Sequence, residues 1–131
     1  MRSLGSEKGE VFVETALVGV VVMALALGLL QFGLWYHAQH VVLGAAQDGA
    51  HAAALDGADP LDGEARAQEL VRMGLGSLSD EAQISATATG RVATVRVETR
   101  ISPIVPFLPN ISLRAEGRAF VERFVPHGEK P

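Results

Sequence analysis

The chain contains no cysteine, which excludes disulfides, thiolate nucleophiles and cysteine-ligated zinc together. Export to an oxidising compartment stays open, but no covalent staple supports the fold. Positive charge is not in surplus either: 11 Lys and Arg against 15 Asp and Glu leave a formal net charge of -4, which argues against a nucleic-acid partner. Six arginines do gather late, at Arg91, Arg96, Arg100, Arg114, Arg118 and Arg123, but Glu98, Glu116 and Glu122 are interleaved with them. That pattern reads as a mixed-sign solvated face. Also missing are a phosphate-binding glycine loop, a Gly-x-Ser-x-Gly elbow and a His-Glu-x-x-His motif, so neither an enzyme nor a cofactor is expected.

Charge is absent altogether from residues 16–30, ALVGVVVMALALGLL. From Val11 to Tyr36, about 26 residues, only Glu14, Thr15 and Gln31 are polar, and a helix of that length crosses the roughly 30 Å hydrocarbon layer. Trp35 and Tyr36 fall at the far end, where amphipathic rings favour the headgroup zone. Arg2 and Lys8 precede the run, and beyond Tyr36 no Lys or Arg occurs before Arg66. The positive-inside rule then places the N-terminus in the cytoplasm and the rest outside, as a single-pass protein of the inner membrane. A cleaved secretory signal fits less well, because the apolar run is too long and Glu7, Glu10 and Glu14 acidify the part that should be basic.

Glu14 is the unusual residue. As a first-turn acid it is favoured by the helix dipole, yet Glu10, outside the run, would serve that purpose equally. The other reading starts at Gly9. A cut after this glycine makes Glu10 the first residue and Glu14 the fifth, with a new α-amino group one turn from a carboxylate. Within the membrane, Ala24 and Gly28 form a small-xxx-small pair suited to helix packing.

No proline interrupts residues 37–57, so the helix is expected to continue outward, about forty residues in all. His37, His40, Gln47, Asp48 and His51 share one polar stripe opposite alanines and valines. No carboxylate completes an i, i+4 pair with any of the three histidines, so no metal is expected. Gly44, Ala45, Ala46, Gly49, Ala50, Ala52 and Ala53 are small enough to admit another helix closely.

Beyond a turn at residues 56–64, a second amphipathic helix is expected over 64–75, burying Ala67, Leu70, Val71 and Met73 or Gly74. The period then drops to two. Ile84, Ala86 and Ala88 alternate with Ser85, Thr87 and Thr89; a turn at Gly90 and Arg91 follows; then Val95, Val97, Thr99 and Ile101 alternate with polar residues. The segment SPIVPFLPN, with three prolines, is no central strand. Its Ile104, Val105, Phe107 and Leu108 are expected to cover the sheet's core face rather than dock on a partner. A last strand runs over 113–124, and residues 125–131 read as a loose tail. Such a sheet is marginal alone and needs the outer half of the long helix to complete its core. The fold class is therefore α+β: a transmembrane helix extending outside the membrane, packed with a short helix and a small antiparallel sheet.

A charged leader ending in Gly9, Glu14 at the fifth position after it and a continuous apolar helix resemble the signature that prepilin peptidases cut in type IV pilins. Together with AAQDGAHAAA at residues 45–54 and the β-rich tail, the chain is similar to the TadE-like proteins, minor pilins of the tight-adherence (Flp) pilus. His51 stands where an arginine is common in that family. The main Flp pilins are shorter and carry tyrosine where this chain has Thr15, which points to the minor, pseudopilin-like branch. The resemblance implies a pilin-like organisation: a leader at 1–9 removed by a prepilin peptidase, a transmembrane helix at 10–36, an outer extension at 37–56 and an α+β head at 57–131. It implies other pilins or pseudopilins and the pilus assembly machinery as partners, with Glu14 offsetting the new amino group of a neighbour. The competing class is an uncleaved, membrane-anchored binding module with the same architecture.

Overall fold

The computed structural model describes residues 4–55, 57–79 and 81–122. Helix α1, Leu4–Ala54, runs unbroken for 51 residues, about 75 Å at the usual rise. It is longer than the forty or so residues expected, because it begins ahead of Gly9. Its two halves meet different surroundings. Residues 5–26 are exposed on every face, whereas from Gln31 onward one stripe is covered: Ala38, Val42, Ala45, Ala46, Gly49, Ala50, Ala53 and Ala54 are buried. The expected polar stripe, His37, His40, Gln47, Asp48 and His51, stays exposed opposite it.

Helix α2, Pro60–Leu75, starts four residues earlier than the sequence pattern suggested. The segment DPLD looked like a turn, but proline at a helix's first position sacrifices no hydrogen bond. Asp59 caps it: Leu61 N–H donates to Asp59 Oδ1 at 3.0 Å, and Asp59 N–H donates to Asp62 Oδ2 at 2.9 Å. The reciprocal pair satisfies donors that a helix start leaves open. Gly63, Ala67, Val71 and Leu75 are buried, Leu70 and Gly74 are half-buried, and Met73 is 62% exposed. Met73 is therefore not a core residue. The buried spacing is four throughout, and Met73 points away from that stripe.

A 3-10 turn, Gly76–Leu78, leads to a three-stranded antiparallel meander in the order β1 (Gln83–Thr89), β2 (Val92–Ile101), β3 (Ile111–Phe120). Gly90 opens the two-residue turn between β1 and β2 with φ 62°, a backbone state that favours glycine and matches the twist of a hairpin. The last strand ends at Phe120; Val121 and Glu122 continue as a tie, their N–H groups donating to Arg91 O at 2.7 Å and Ala54 O at 3.1 Å. The expected end at Phe124 and the tail at 125–131 lie outside the described residues.

The apolar face of the sheet, with Ala93, Val95, Val97, Ile101, Leu113, Ala115 and Ala119, closes on α1 and α2 as one core. The hairpin turn sits beside Ala54, through the Val121 and Glu122 ties, while the β2–β3 loop reaches down to Gln31. The head thus runs alongside the outer half of α1 for its full length. The proline-rich loop does not cover the core face: Ile104 is 51% and Phe107 93% exposed, and Leu108 is exposed as well. The helices already fill that face.

On the outward face of the sheet, Arg96 Nη2 and Arg118 Nη2 lie 2.8 Å and 2.6 Å from the two oxygens of Glu116, and Arg114 pairs with Glu98 across the strands at 2.9 Å. The Arg96 hydrogen bond, then that of Arg118, holds the Glu116 carboxyl below its ordinary range. A depressed carboxylate stabilises the fold above its unfolded pKa, and that contribution is lost as the pH falls through the folded value. Head stability should therefore decline on acidification below the usual glutamate range, less steeply in Glu116→Gln. Chemical denaturation midpoints across the acid range measure this. The difference should be modest, since exposed pairs are screened, and parallel curves would remove Glu116 from the account.

Candidate helix-packing site

Along residues 11–25 of α1, about four apolar turns, nothing among the described residues lies against the helix. Val11, Phe12, Val13, Leu17, Val18, Val20 and their successors through Leu25 are exposed around the full circumference. A helix apolar on all sides is at home in an apolar solvent, and α1 is long and apolar enough to cross a membrane. Glu10 and Glu14 lie one turn apart on this half, and Gly9 stands beside Glu10 with open space around its Cα. Among the described residues no salt bridge reaches Glu14. Ala24 and Gly28 are exposed, and a Cβ built on Gly28 meets nothing within 4 Å. At 100° per residue, Gly28 lies within about 40° of the Glu14 direction, so a neighbour seated on Gly28 would also face Glu14.

The outer small residues have a different setting. Ala45 is 1% exposed, and Gly49 is buried against the chain's own α2. A Cβ on Gly49 would fall 2.8 Å from Gly63 O, and one on Gly63 would fall 2.6 Å from Gly49 O and 2.7 Å from Ala53 Cβ. The backbones of α1 and α2 touch there because both lack a side chain. One end of the same interface is closed by Val41, whose Cγ1 stands 2.5 Å from a Cβ built on Gly74. On the sheet side, Gly117 of β3 faces the Ala46 carbonyl, and a Cβ built there would fall 2.6 Å from Gln47 N. The helix that these small residues admit is the chain's own. Gly44 differs: it opens on a shallow groove between α1 and α2 with His40, Asp48 and Met73 at its rim.

The first helix is similar to the TadE-like family. Residues 9–51 match the family model described as TadE-like protein. The match starts at Gly9, takes in Glu14, Ala24, Gly28, Gly44, Ala45 and Gly49, and ends at His51, leaving out the head. No curated protein and no solved structure matches the chain. The segment that matches thus unites a half that is apolar and exposed all round among the described residues, which carries the acidic pair and the 24/28 step, with an outer half committed to holding the head.

Within the TadE-like segment, the histidines have separate tasks. His37 Nε2 lies 3.2 Å from Gly74 O at the end of α2, where as the Nε2–H tautomer it donates, and the His40 ring stands edge-on to Tyr36 at 4.4 Å. Among the described residues no group of three or more His, Asp or Glu is placed to hold a metal. One residue of the TadE-like helix was not singled out by sequence reasoning. Gln31, seen there only as a polar interruption, is 8% exposed, and its Oε1 accepts a hydrogen bond from Ile104 N–H at 2.7 Å. Its Nε2 is buried without a partner among the described residues. The available signal was a glutamine inside an apolar run, where a buried polar side chain calls for a hydrogen-bond partner.

Proposed function

We propose that the chain is a minor pilin or pseudopilin of a tight-adherence (Flp-type) pilus, matured by a prepilin peptidase that cuts between Gly9 and Glu10. The observation that carries this reading is the TadE-like match over residues 9–51, beginning at the glycine and including a carboxylate that nothing in the described chain neutralises. The helix half that it covers is bare on all faces, so its packing surface is free for other subunits, with Ala24 and Gly28 as the close-approach step. In the assembled state the Glu14 carboxylate of one subunit offsets the α-amino group of a neighbouring Glu10. Gly44, at the edge of the α1–α2 groove, is the outer packing position left uncovered by the head. The N-terminus lies in the cytoplasm and the head outside the inner membrane.

The test is Gly9→Val expressed in the native host. The variant is expected to accumulate in the membrane as a precursor heavier than the wild type by residues 1–9, read by intact mass. A variant and wild type that share one N-terminus, whether both cut or both whole, contradict the reading. Both whole is what the uncleaved binding module predicts.

A further inference from the structure

We propose that the β2–β3 loop, residues 102–110, is a membrane-dipping wedge that inserts its apolar side chains into the lipid leaflet on the head's side. The proposal rests on the reading of α1 as membrane-spanning. What places the loop is the bond from Ile104 N–H to Gln31 Oε1, 2.7 Å long, which joins the sheet's lower end directly to the membrane helix. Gln31 precedes Tyr36 by five residues, so the loop is anchored about 7 Å closer to the bilayer centre than the ring expected in the headgroup zone. At that level the helix presents Phe32, Trp35 and Tyr36, with Phe32 against both other rings at 5.8 and 6.4 Å. The loop extends this aromatic girdle sideways with Ile104, Phe107 and Leu108.

The chemistry of the loop fits lipid rather than water. Residues 102–110 carry no charge, and Phe107 is 93% exposed. Unpaired backbone donors are the usual obstacle to irregular chain in lipid, and this loop has shed most of them. Pro103, Pro106 and Pro109 have no N–H, the Ile104 N–H is taken by Gln31, and the Leu108 N–H donates to Val105 O at 3.2 Å. A loop built only to connect two strands in water has no need of either property.

The absence of native cysteine makes the test direct. Full-length Phe107→Cys, Val22→Cys and Thr89→Cys, each carrying an environment-sensitive fluorophore, are reconstituted in vesicles of phosphatidylcholine and phosphatidylglycerol. Quenching is read with aqueous iodide, with a nitroxide near the lipid headgroup and with one near the acyl chain end. Thr89, beside the hairpin turn far from Gln31, reports water, and Val22 reports the spanning helix. The expected result at Phe107 is a blue-shifted emission, loss of the iodide quenching seen at Thr89, and strongest quenching by the shallow nitroxide. Iodide quenching at Phe107 equal to that at Thr89, with Val22 still quenched from the acyl chain, overturns the wedge and leaves the spanning helix intact. Failure of Val22 to sense lipid overturns both. Protection at Phe107 from both quenchers, lost on dilution in lipid, assigns the loop to contact with another copy and also overturns the wedge.

Discussion

Gly117→Val is expected to leave the chain in the membrane without a folded head. Gly117 lies buried in β3 where the strand crosses α1, and the atoms that a side chain would strike are the Ala46 carbonyl and Gln47 N. Both belong to helix backbone, which cannot turn aside as a flexible side chain would. The helix must move outward, and with it Ala46 and Ala50, which seal the core against the sheet. Overpacking a core costs about 1–3 kcal/mol, occasionally more, and small domains have only about 5–15 kcal/mol in total. Gly117→Ala should fall at the upper end of that range and Gly117→Val beyond it. Thermal unfolding of the reconstituted protein, followed by protease resistance of the head, measures the loss. Gly28→Ala is the control: the added methyl meets nothing among the described residues, and head stability should not change. A Gly117→Val head as stable as the wild type would contradict the close crossing of β3 and α1.

Removing the carboxylate at position 14 is expected to act on the opposite end of the molecule and on a different property. Glu14→Ala should insert normally, because deleting a charge near a bilayer lowers the cost of insertion. Assembly should fail. If Glu14 neutralises the α-amino group of a neighbour, the variant leaves that amine buried and unpaired, and breaking a buried pair from one side costs about 3–5 kcal/mol. At about 1.4 kcal/mol per tenfold, each subunit contact weakens by about two to three and a half orders of magnitude, enough to abolish a polymer built of many such contacts. Pilus counts and co-purification of partner pilins report assembly, while the carbonate-resistant membrane fraction reports insertion. Normal piliation with Glu14→Ala would return the residue to the role of a first-turn acid. The two variants separate head from helix, since Gly117 lies outside the TadE-like segment and Glu14 within its exposed half.

Much of this was legible in the residues. The run at 16–30 and the lack of proline through Gly57 dictated a long helix, and the change to period two at Ile84 dictated strands with Val95, Val97 and Ile101 inward. Local chemistry misled in one place, where Asp-Pro-Leu-Asp read as a turn although it is a capped helix start. The remaining differences are tertiary. A stripe of Gly and Ala announces that something will approach, but not what: Gly49 meets Gly63 of the same chain, while Gly28 faces open space. Nothing in the sequence singles out Gly117, because its meaning lies in a crossing with Ala46, far away in the chain. The loop of three prolines was expected to cover the core since apolar residues seek burial. Its true position follows from Gln31, whose hydrogen bond no periodicity reveals.

The reading of the chain as a pilin subunit turns on whether residues 1–9 are removed. The most direct measurement is the intact mass and first residue of the protein isolated from its native membrane. A chain beginning at Glu10 is the predicted result. A chain that retains Gly9 and the residues before it would contradict the account and leave a TadE-like helix acting as a plain membrane anchor.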